Sequence, residues 1–545
     1  MHDGPRISRR ALLRWLGSAA TVSLLAACAP IGGSGPTTAG GGSSSPAGPG
    51  SGTPVAGQTL AASGAPRRGG TLHIGQGFDI QITRPHAITF QHYSVIYSIF
   101  DTLLRLDSNN KPQPELAQSW DFSPDYRTLT LHLKQGVKFH TGRDFSSADV
   151  VWNIERVRDP KANSQNLTMA QSIAKMDTPD PATVVLNFDA PRPAVFDMLD
   201  ALWILDAQSL ADADNGKRWV GTGPFQWSSW VPNDTLEIKR FDAYWKPNLP
   251  YLDGISIKVI ADPQTLLAQL QGRVLDLIVN PPFEQVAAIK QDPNLAVLES
   301  ETGGQMYYVG LNVSTPPLDN KDVRHAINYG IDRERIVKTA LSGIGSATAI
   351  PWPPPSLAYD AQKAKSFGFN LDMSKQLLEK AGQSAGFDLP LVTTQALPGL
   401  AQIAQIIQSD LAKVGVRVKI EEVESGDLTT RLTGRKFTHA WNLGFGFNNL
   451  HPSTMPSVAF PWRPGNNSSF YDSQGYRDVI AKLQVATDPA EAKQVAGQLT
   501  DLLLDESFVL PVSPQKRLWA TRATVHDVAW GQEDALFLEK AWLAG

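Results

Sequence analysis

Between Ala29 and Ala65 the chain runs for 37 residues without an Asp, Glu, Lys or Arg, and every residue except Ile31, Val55, Gln58 and Leu60 is Gly, Ser, Ala, Pro or Thr. So few apolar side chains cannot offset the entropy of ordering the backbone, and no core forms from them. As a flexible coil this stretch spans about 30 to 35 Å end to end. Whatever the chain folds into therefore lies beyond it. The full length of 545 residues allows three to four domain-sized units, enough to bury several cores.

The residues ahead of this tether read as an export signal. Arg6, Arg9, Arg10 and Arg14 precede an uncharged run, Trp15 to Ala27, of 13 residues. That is too short for the roughly 20 residues of a membrane-spanning helix and suits a cleaved signal peptide over 1–27. Ser8-Arg9-Arg10-Ala11-Leu12-Leu13 resembles a twin-arginine signal, although positions 11 to 13 depart from its commonest hydrophobic pattern, and the general export route also fits. Leu25-Ala26-Ala27-Cys28 resembles a lipobox. It gives Cys28, the single cysteine, a role as the lipidated residue, with 28–68 as the linker behind it. The expectation is a protein outside the cytoplasm, in the periplasm or on the outer face of the cell membrane, held by a lipid.

Several chemistries drop out. One cysteine permits no internal disulfide, CxxC pair or thiolate zinc cage. With 49 basic and 53 acidic residues, a formal charge of -4 and no basic block, a nucleic-acid partner is not expected. There is no GxSxG, HExxH or GxxxxGK[ST], and Gly221-Thr222-Gly223 lacks the third glycine of a dinucleotide loop. The ten histidines show no ligand spacing; His132, His140 and His451 read as strand or loop residues. No metal, no cofactor and no catalytic residue is expected.

Strand and helix patterns alternate along the body. Thr71-Leu72-His73-Ile74-Gly75 reads as a strand, and Val95 to Leu106 as an apolar, helix-like run. Leu129, Leu131 and Leu133 alternate with polar residues, the period of a half-buried strand. Ser146 and Asp149 form a capping-box pattern before a helix. Asp262-Pro263 opens another, carrying Leu266, Leu267 and Leu270, with Gly272 as its stop and Leu275 to Ile278 as the next strand. Leu400, Ile403, Ala404, Ile407, Leu411 and Val414 share a helical face, and Gly415 hands over to a strand through Val416, Val418 and Ile420. Such alternation predicts α/β lobes.

Longer motifs carry a resemblance. Pro114-Glu115-Leu116-Ala117-Gln118-Ser119-Trp120, Val137-Lys138-Phe139-His140-Thr141-Gly142-Arg143-Asp144, Gly221-Thr222-Gly223-Pro224-Phe225, Phe241-Asp242-Ala243-Tyr244-Trp245, Val323-Arg324-His325-Ala326-Ile327, Gly330-Ile331-Asp332-Arg333 and Leu510-Pro511-Val512 span nearly the whole body. Together they resemble the family 5 extracellular solute-binding proteins, the oligopeptide, dipeptide and nickel-chelate receptors of ABC importers. The resemblance implies a two-lobed, periplasmic-binding-protein-like fold with a hinge and an additional inserted domain. Lobe I would comprise 69–106, 219–306 and 514–545, the inserted domain 107–218, and lobe II 307–513. It further implies a monomer without enzymatic activity that captures a peptide or similarly sized solute and delivers it to ABC permease subunits. Most motif residues read as packing and turn positions.

For the ligand site the resemblance points to Trp441, Phe445, Phe447 and Asn448, in a glycine-loosened aromatic segment before Pro452. The peptide receptors place an aspartate where this chain has Asn448, to pair with the ligand's α-amine. A carboxamide supplies no charge, so neutral oligosaccharides or blocked peptides stand beside free peptides, unless another acid such as Asp79 or Asp534 substitutes. Asn448 as a plain loop residue is an equal reading. An extracellular lipoprotein hydrolase is the competing class, with no paired-carboxylate spacing to support it. Uptake and sensing are not separable by sequence.

Overall fold

The computed structural model describes residues 65–544 except 81, 84, 87–91, 108, 163, 301–304, 396, 447–450 and 532–534. The signal peptide, Cys28 and nearly all of the linker lie outside the described residues, as do Phe447, Asn448 and Asp534.

Three sheets organise the rest. A seven-stranded sheet has the spatial order Leu295–Glu299, Leu518–Arg522, Leu277–Val279, Thr71–Gln76, Gly254–Val259, Thr235–Arg240 and Phe225–Val231. Its central strand Thr71–Gln76 runs parallel to Gly254–Val259 and Leu277–Val279. Helix Pro263–Gln271 packs so closely that a Cβ on Gly75 would lie 2.5 Å from Leu275 and 2.6 Å from Leu266. Only a glycine admits that approach.

A five-stranded sheet has the order Val416–Glu422, Phe387–Thr393, Ala440–Phe445, Gln305–Leu311 and Val509–Gln515. Helix Leu400–Ala412 is the crossover between the parallel strands Phe387–Thr393 and Val416–Glu422. Its apolar stripe, Leu400, Ile403, Ala404, Ile407 and Leu411, is buried against them. A third, antiparallel sheet of Ala117–Phe122, Thr128–Leu133, Thr183–Phe188 and Ile173–Asp180 carries helix Ser147–Arg158 and its own core. The chain passes from the seven- to the five-stranded sheet between Glu299 and Gln305 and returns between Gln515 and Leu518. At this crossing Ser300 N–H donates to Arg517 O at 3.0 Å, and Arg517 N–H donates to Ser300 Oγ at 2.9 Å.

One expectation fails locally. Val95 to Leu106 is helical only over Ile96–Ile99, then extended, and ends in strand Leu104–Leu106, paired with Pro112–Pro114. The run is apolar because it is buried on every side. Its direction is set by Asp101, whose buried carboxylate accepts from Thr222 Oγ1 at 3.0 Å, Tyr244 OH at 3.0 Å and Trp245 Nε1 at 2.9 Å.

The motifs pair with one another. His140 N–H donates to Gly221 O at 2.9 Å, Gly221 N–H donates to His140 Nδ1 at 3.3 Å, and His140 Nε2 lies 3.0 Å from Gly223 O. A Cβ on Gly221 would come within 2.3 Å of Ile99 O. Arg105 and Lys246 each pair with both Glu115 and Glu539, the latter near the C-terminal end, and Arg333 donates to Pro511 O at 2.8 Å. Those motif residues are joints between sequence-distant segments.

Candidate functional site

The two larger sheets face one another across a cleft of ≈ 840 Å³. One wall is made by Gly77 and Phe78 after strand Thr71–Gln76, Ala261 after Gly254–Val259, and Val279–Asn280 at the end of Leu277–Val279. Opposite stand Thr394 and Gln395 after Phe387–Thr393, and Glu422 to Glu424 at the end of Val416–Glu422. Both walls are therefore the carboxyl ends of parallel strands, where open α/β sheets place their ligands. Connections leave the sheet there, so side chains can converge without disturbing the core.

Two helices begin at the cleft. Asp262 caps Pro263–Gln271 by accepting from Thr265 N–H at 2.7 Å. Gly399 precedes Leu400–Ala412 with φ 83°, and a Cβ there would meet Leu341 at 2.9 Å and Ala340 O at 3.0 Å. Tyr307 OH donates to Pro398 O at 3.0 Å and fixes that turn from behind. Leu400 N–H donates to Leu397 O at 3.4 Å and Ile403 N–H to Gly399 O at 2.8 Å, so these helix starts brace the two walls.

Amides and carboxylates dominate the polar lining. Gln264 Nε2 donates to Glu284 Oε1 at 3.3 Å on one side, and Gln395 Nε2 donates to Glu422 Oε1 at 2.6 Å on the other. Gln402 and Gln405 add amides from one helix, while Phe78, Phe283, Leu266 and Leu397 add apolar surface. Glu284, Glu422 and Glu424 line the cleft, and among the described lining residues none is Lys, Arg or His. Such a wall can hold a polar solute by neutral hydrogen bonds and by attraction to a cationic group. Among the described residues no cluster of His, Cys, Asp or Glu is arranged to hold a metal ion.

Of the residues expected at the ligand site, Trp441 and Phe445 lie among the described residues. Trp441 is fully buried in the core behind strand Ala440–Phe445, stacked flat on Phe437 with ring centroids 4.4 Å apart, its Nε1 3.4 Å from Tyr308 OH. Phe445 is half-buried at the end of the same strand, 5.4 Å from the ring of Trp462. Neither lines the ≈ 840 Å³ cleft. Asp79, weighed as a substitute acid, already accepts from Trp230 Nε1 at 3.1 Å and Asn233 N–H at 2.7 Å. His132 lies on the outer sheet, 2.9 Å from Asp121.

Sequence reasoning passed over Asp197. It sits in helix Val195–Asp200 and accepts at Oδ2 from His451 N–H at 3.0 Å and from the Thr454 hydroxyl. Burial pushes its pKa up to about 6, with those two donors pulling the other way. Nearby Asp200 accepts from Leu106 N–H at 2.9 Å, and burial pushes it up to about 7. Two aspartates three residues apart on a short helix carry no spacing signal; only the fold shows what they face. The signal that could have found the cleft wall is the alternation of strands ending at Gln76, Val259, Thr393 and Glu422, taken with the strand-end rule.

The family model of bacterial extracellular solute-binding proteins, family 5 Middle, matches residues 111–468. The glutathione-binding protein GsiB of Escherichia coli K12 is 30% identical over 437 residues, covering 78% of this chain and 84% of that protein. Among solved structures, the binding protein AgaA of A. tumefaciens R10, in complex with agropinic acid, is 28% identical with a TM-score of 0.78, covering 87% of this chain and 99% of that one. DppA of Helicobacter pylori, in complex with the peptide STSA, shares the fold at TM-score 0.78 and 24% identity, over 88% of this chain and 99% of its own.

Proposed function

The chain belongs to the bacterial extracellular solute-binding proteins of family 5, and from that premise we propose that it captures a peptide or similarly sized polar solute and delivers it to the permease of an ABC importer. The observation that carries this reading is the ≈ 840 Å³ cleft between the carboxyl ends of two sheets joined by two crossing segments. Closing such a cleft removes the solute from water and lets a few hydrogen bonds act at low dielectric. The protein works as a monomer without chemistry of its own. Lobe I is 69–106, 219–306 and 514–545, the inserted domain 107–218 and lobe II 307–513. The seven-, four- and five-stranded sheets support these divisions, with strands Gln305–Leu311 and Val509–Gln515 running across two boundaries.

Solute contacts come from the cleft amides and from Phe445, Phe447 and Asn448, with Trp441 stiffening strand Ala440–Phe445 from behind. Glutathione is the first solute to test, because the relatives 30% identical to this chain are glutathione-binding proteins. Short peptides, free or N-blocked, and neutral oligosaccharides suit the amide-rich walls. The protein acts outside the cytoplasm on a lipid carried by Cys28; among the described residues no helix is long and apolar enough to cross a membrane. Detergent partitioning of wild type against Cys28→Ser tests the anchor, and identical fractionation would refute it.

Thermal unfolding with glutathione, di- to nonapeptides and oligosaccharides tests binding. A bound solute at a hundred times its Kd stabilises the chain by about 2.7 kcal/mol. If no member of the panel raises the unfolding temperature, the reading fails for these classes.

A further inference from the structure

Asn280 is held in a backbone conformation that an L-amino acid adopts at a cost. It follows strand Leu277–Val279 with φ 53°, in the left-handed region, and it precedes Pro281. Its Cβ crowds the backbone there, and a following proline favours extended angles instead. Two anchors hold it in place: Val279 is paired with Trp519 on the neighbouring strand, and Asn280 N–H donates to Leu518 O at 3.0 Å. Asn110 and Asn233 are also left-handed, but their N–H groups close turns onto Asp107 O and the Asp79 carboxylate, and neither lines the ≈ 840 Å³ cleft. Asn280 does line it, beside Val279, Pro282 and Phe283. It is partly exposed, and among the described residues no hydrogen bond uses its carboxamide. An asparagine in a turn ordinarily bonds the backbone N–H two residues on, yet residues 281 and 282 are both proline and have none to offer. Gln264 and Gln395, by contrast, are each engaged by a glutamate.

From this geometry we infer that Asn280 is a specificity-determining residue, whose carboxamide pairs with the N–H and C=O of one extended residue of a bound peptide. The inference rests on the proposed solute-binding role and names a contact within it. Strain that persists at a cavity and presents an uncommitted polar group there points to a function for that group. A glycine would follow the same path without the cost, so the fold alone does not call for asparagine. An extended residue displays its own N–H and C=O on one side, the pair that antiparallel strands exchange. A carboxamide carries an acceptor oxygen and N–H donors in one plane and answers both. An aspartate would keep the acceptor and lose the donor.

The test uses the full chain as wild type, Asn280→Gly and Asn280→Asp. Each is followed by thermal unfolding and by calorimetric titration with glutathione, with trialanine, and with trialanine N-methylated at its second or third residue. Asn280→Gly should unfold at a temperature no lower than wild type and bind the peptides about tenfold more weakly or worse, the loss of two neutral hydrogen bonds. One N-methylated analogue should bind wild type about tenfold more weakly than trialanine, and Asn280→Gly should erase that difference. Asn280→Asp should bind trialanine more weakly than wild type yet still discriminate against that analogue. A glycine variant that binds the peptides as tightly as wild type, or that keeps the N-methyl discrimination, overturns the inference. So does a clear fall in its unfolding temperature, which would assign the side chain to the fold. A wild type that binds oligosaccharides and neither peptide overturns the inference and leaves solute capture standing, whereas one that binds no member of the panel removes both.

Discussion

Gly310 lies directly beneath the indole of Trp441: the two residues are paired across neighbouring antiparallel strands, and a Cβ on Gly310 would fall 2.2 Å from Cζ2 of the ring. The missing side chain is what lets the tryptophan lie flat in the core against Phe437. Gly310→Ala should therefore destabilise the fold by about 1 to 3 kcal/mol, the usual range for overpacking a core. Urea denaturation measures it, and an unchanged midpoint would show that the indole has room to move.

Glu539 gathers the C-terminal segment onto the rest of the fold. Its carboxylate lies 3.2 Å from Arg105 and 3.1 Å from Lys246, and the Arg105 guanidinium stacks 3.8 Å from the centre of the Phe537 ring. Burial alone would push the Glu539 pKa up, but Arg105 and Lys246 outweigh it and hold the group well below the ordinary carboxylate range. Glu539→Gln leaves the partly buried Arg105 and Lys246 with Glu115 as their shared anionic partner and should cost about 1 to 3 kcal/mol. Stability of the variant and wild type at pH 7 compares them directly.

Asp200 makes stability fall with rising pH. Its other oxygen, Oδ2, is buried without a hydrogen-bond partner, and burial raises its pKa to about 7. An unfolded aspartate titrates near 3.9, so between about pH 4 and 7 the folded state binds the proton more tightly and is favoured at the acid end. Ionisation above that window costs on the order of 4 kcal/mol. Asp200→Asn keeps an acceptor for Leu106 N–H and removes the ionisation. The wild type should lose stability relative to this variant from pH 4.5 to pH 7.5. A constant difference would contradict the burial argument.

Asn448 predicts a weak dependence on the ligand's α-amine. Calorimetry with matched free and N-acetylated dipeptides should give affinities within about tenfold, a difference of about 1.4 kcal/mol. Asn448→Asp should then improve the free peptide alone. Tight binding of free peptides that acetylation abolishes would show that another acid, Glu284, Glu422 or Glu424 in the cleft, takes the amine.

Local elements were legible where one face is apolar and the ends carry caps. Ser146 with Asp149, Asp262 with Pro263, and the stripe from Leu400 to Leu411 ending near Gly415 all form the helices their patterns predict. The alternation at Leu129, Leu131 and Leu133 gives the expected strand. Val95 to Leu106 misled because burial on every side erases periodicity, leaving Asp101 and its distant partners to decide the path. The same limit applies to the site. Trp441 reads as a flat ligand-facing surface in a glycine-rich segment, yet Gly310 on a neighbouring strand makes room for it in the core. Asp197 acquires meaning only through Thr454, 257 residues away.

Small-angle scattering of the full chain, titrated with the solute that most raises its unfolding temperature, tests solute capture by cleft closure most directly. The account predicts a radius of gyration that falls saturably, with the solute recovered chemically unchanged by mass spectrometry. A radius that stays constant at saturation, or a solute consumed during the titration, would contradict it.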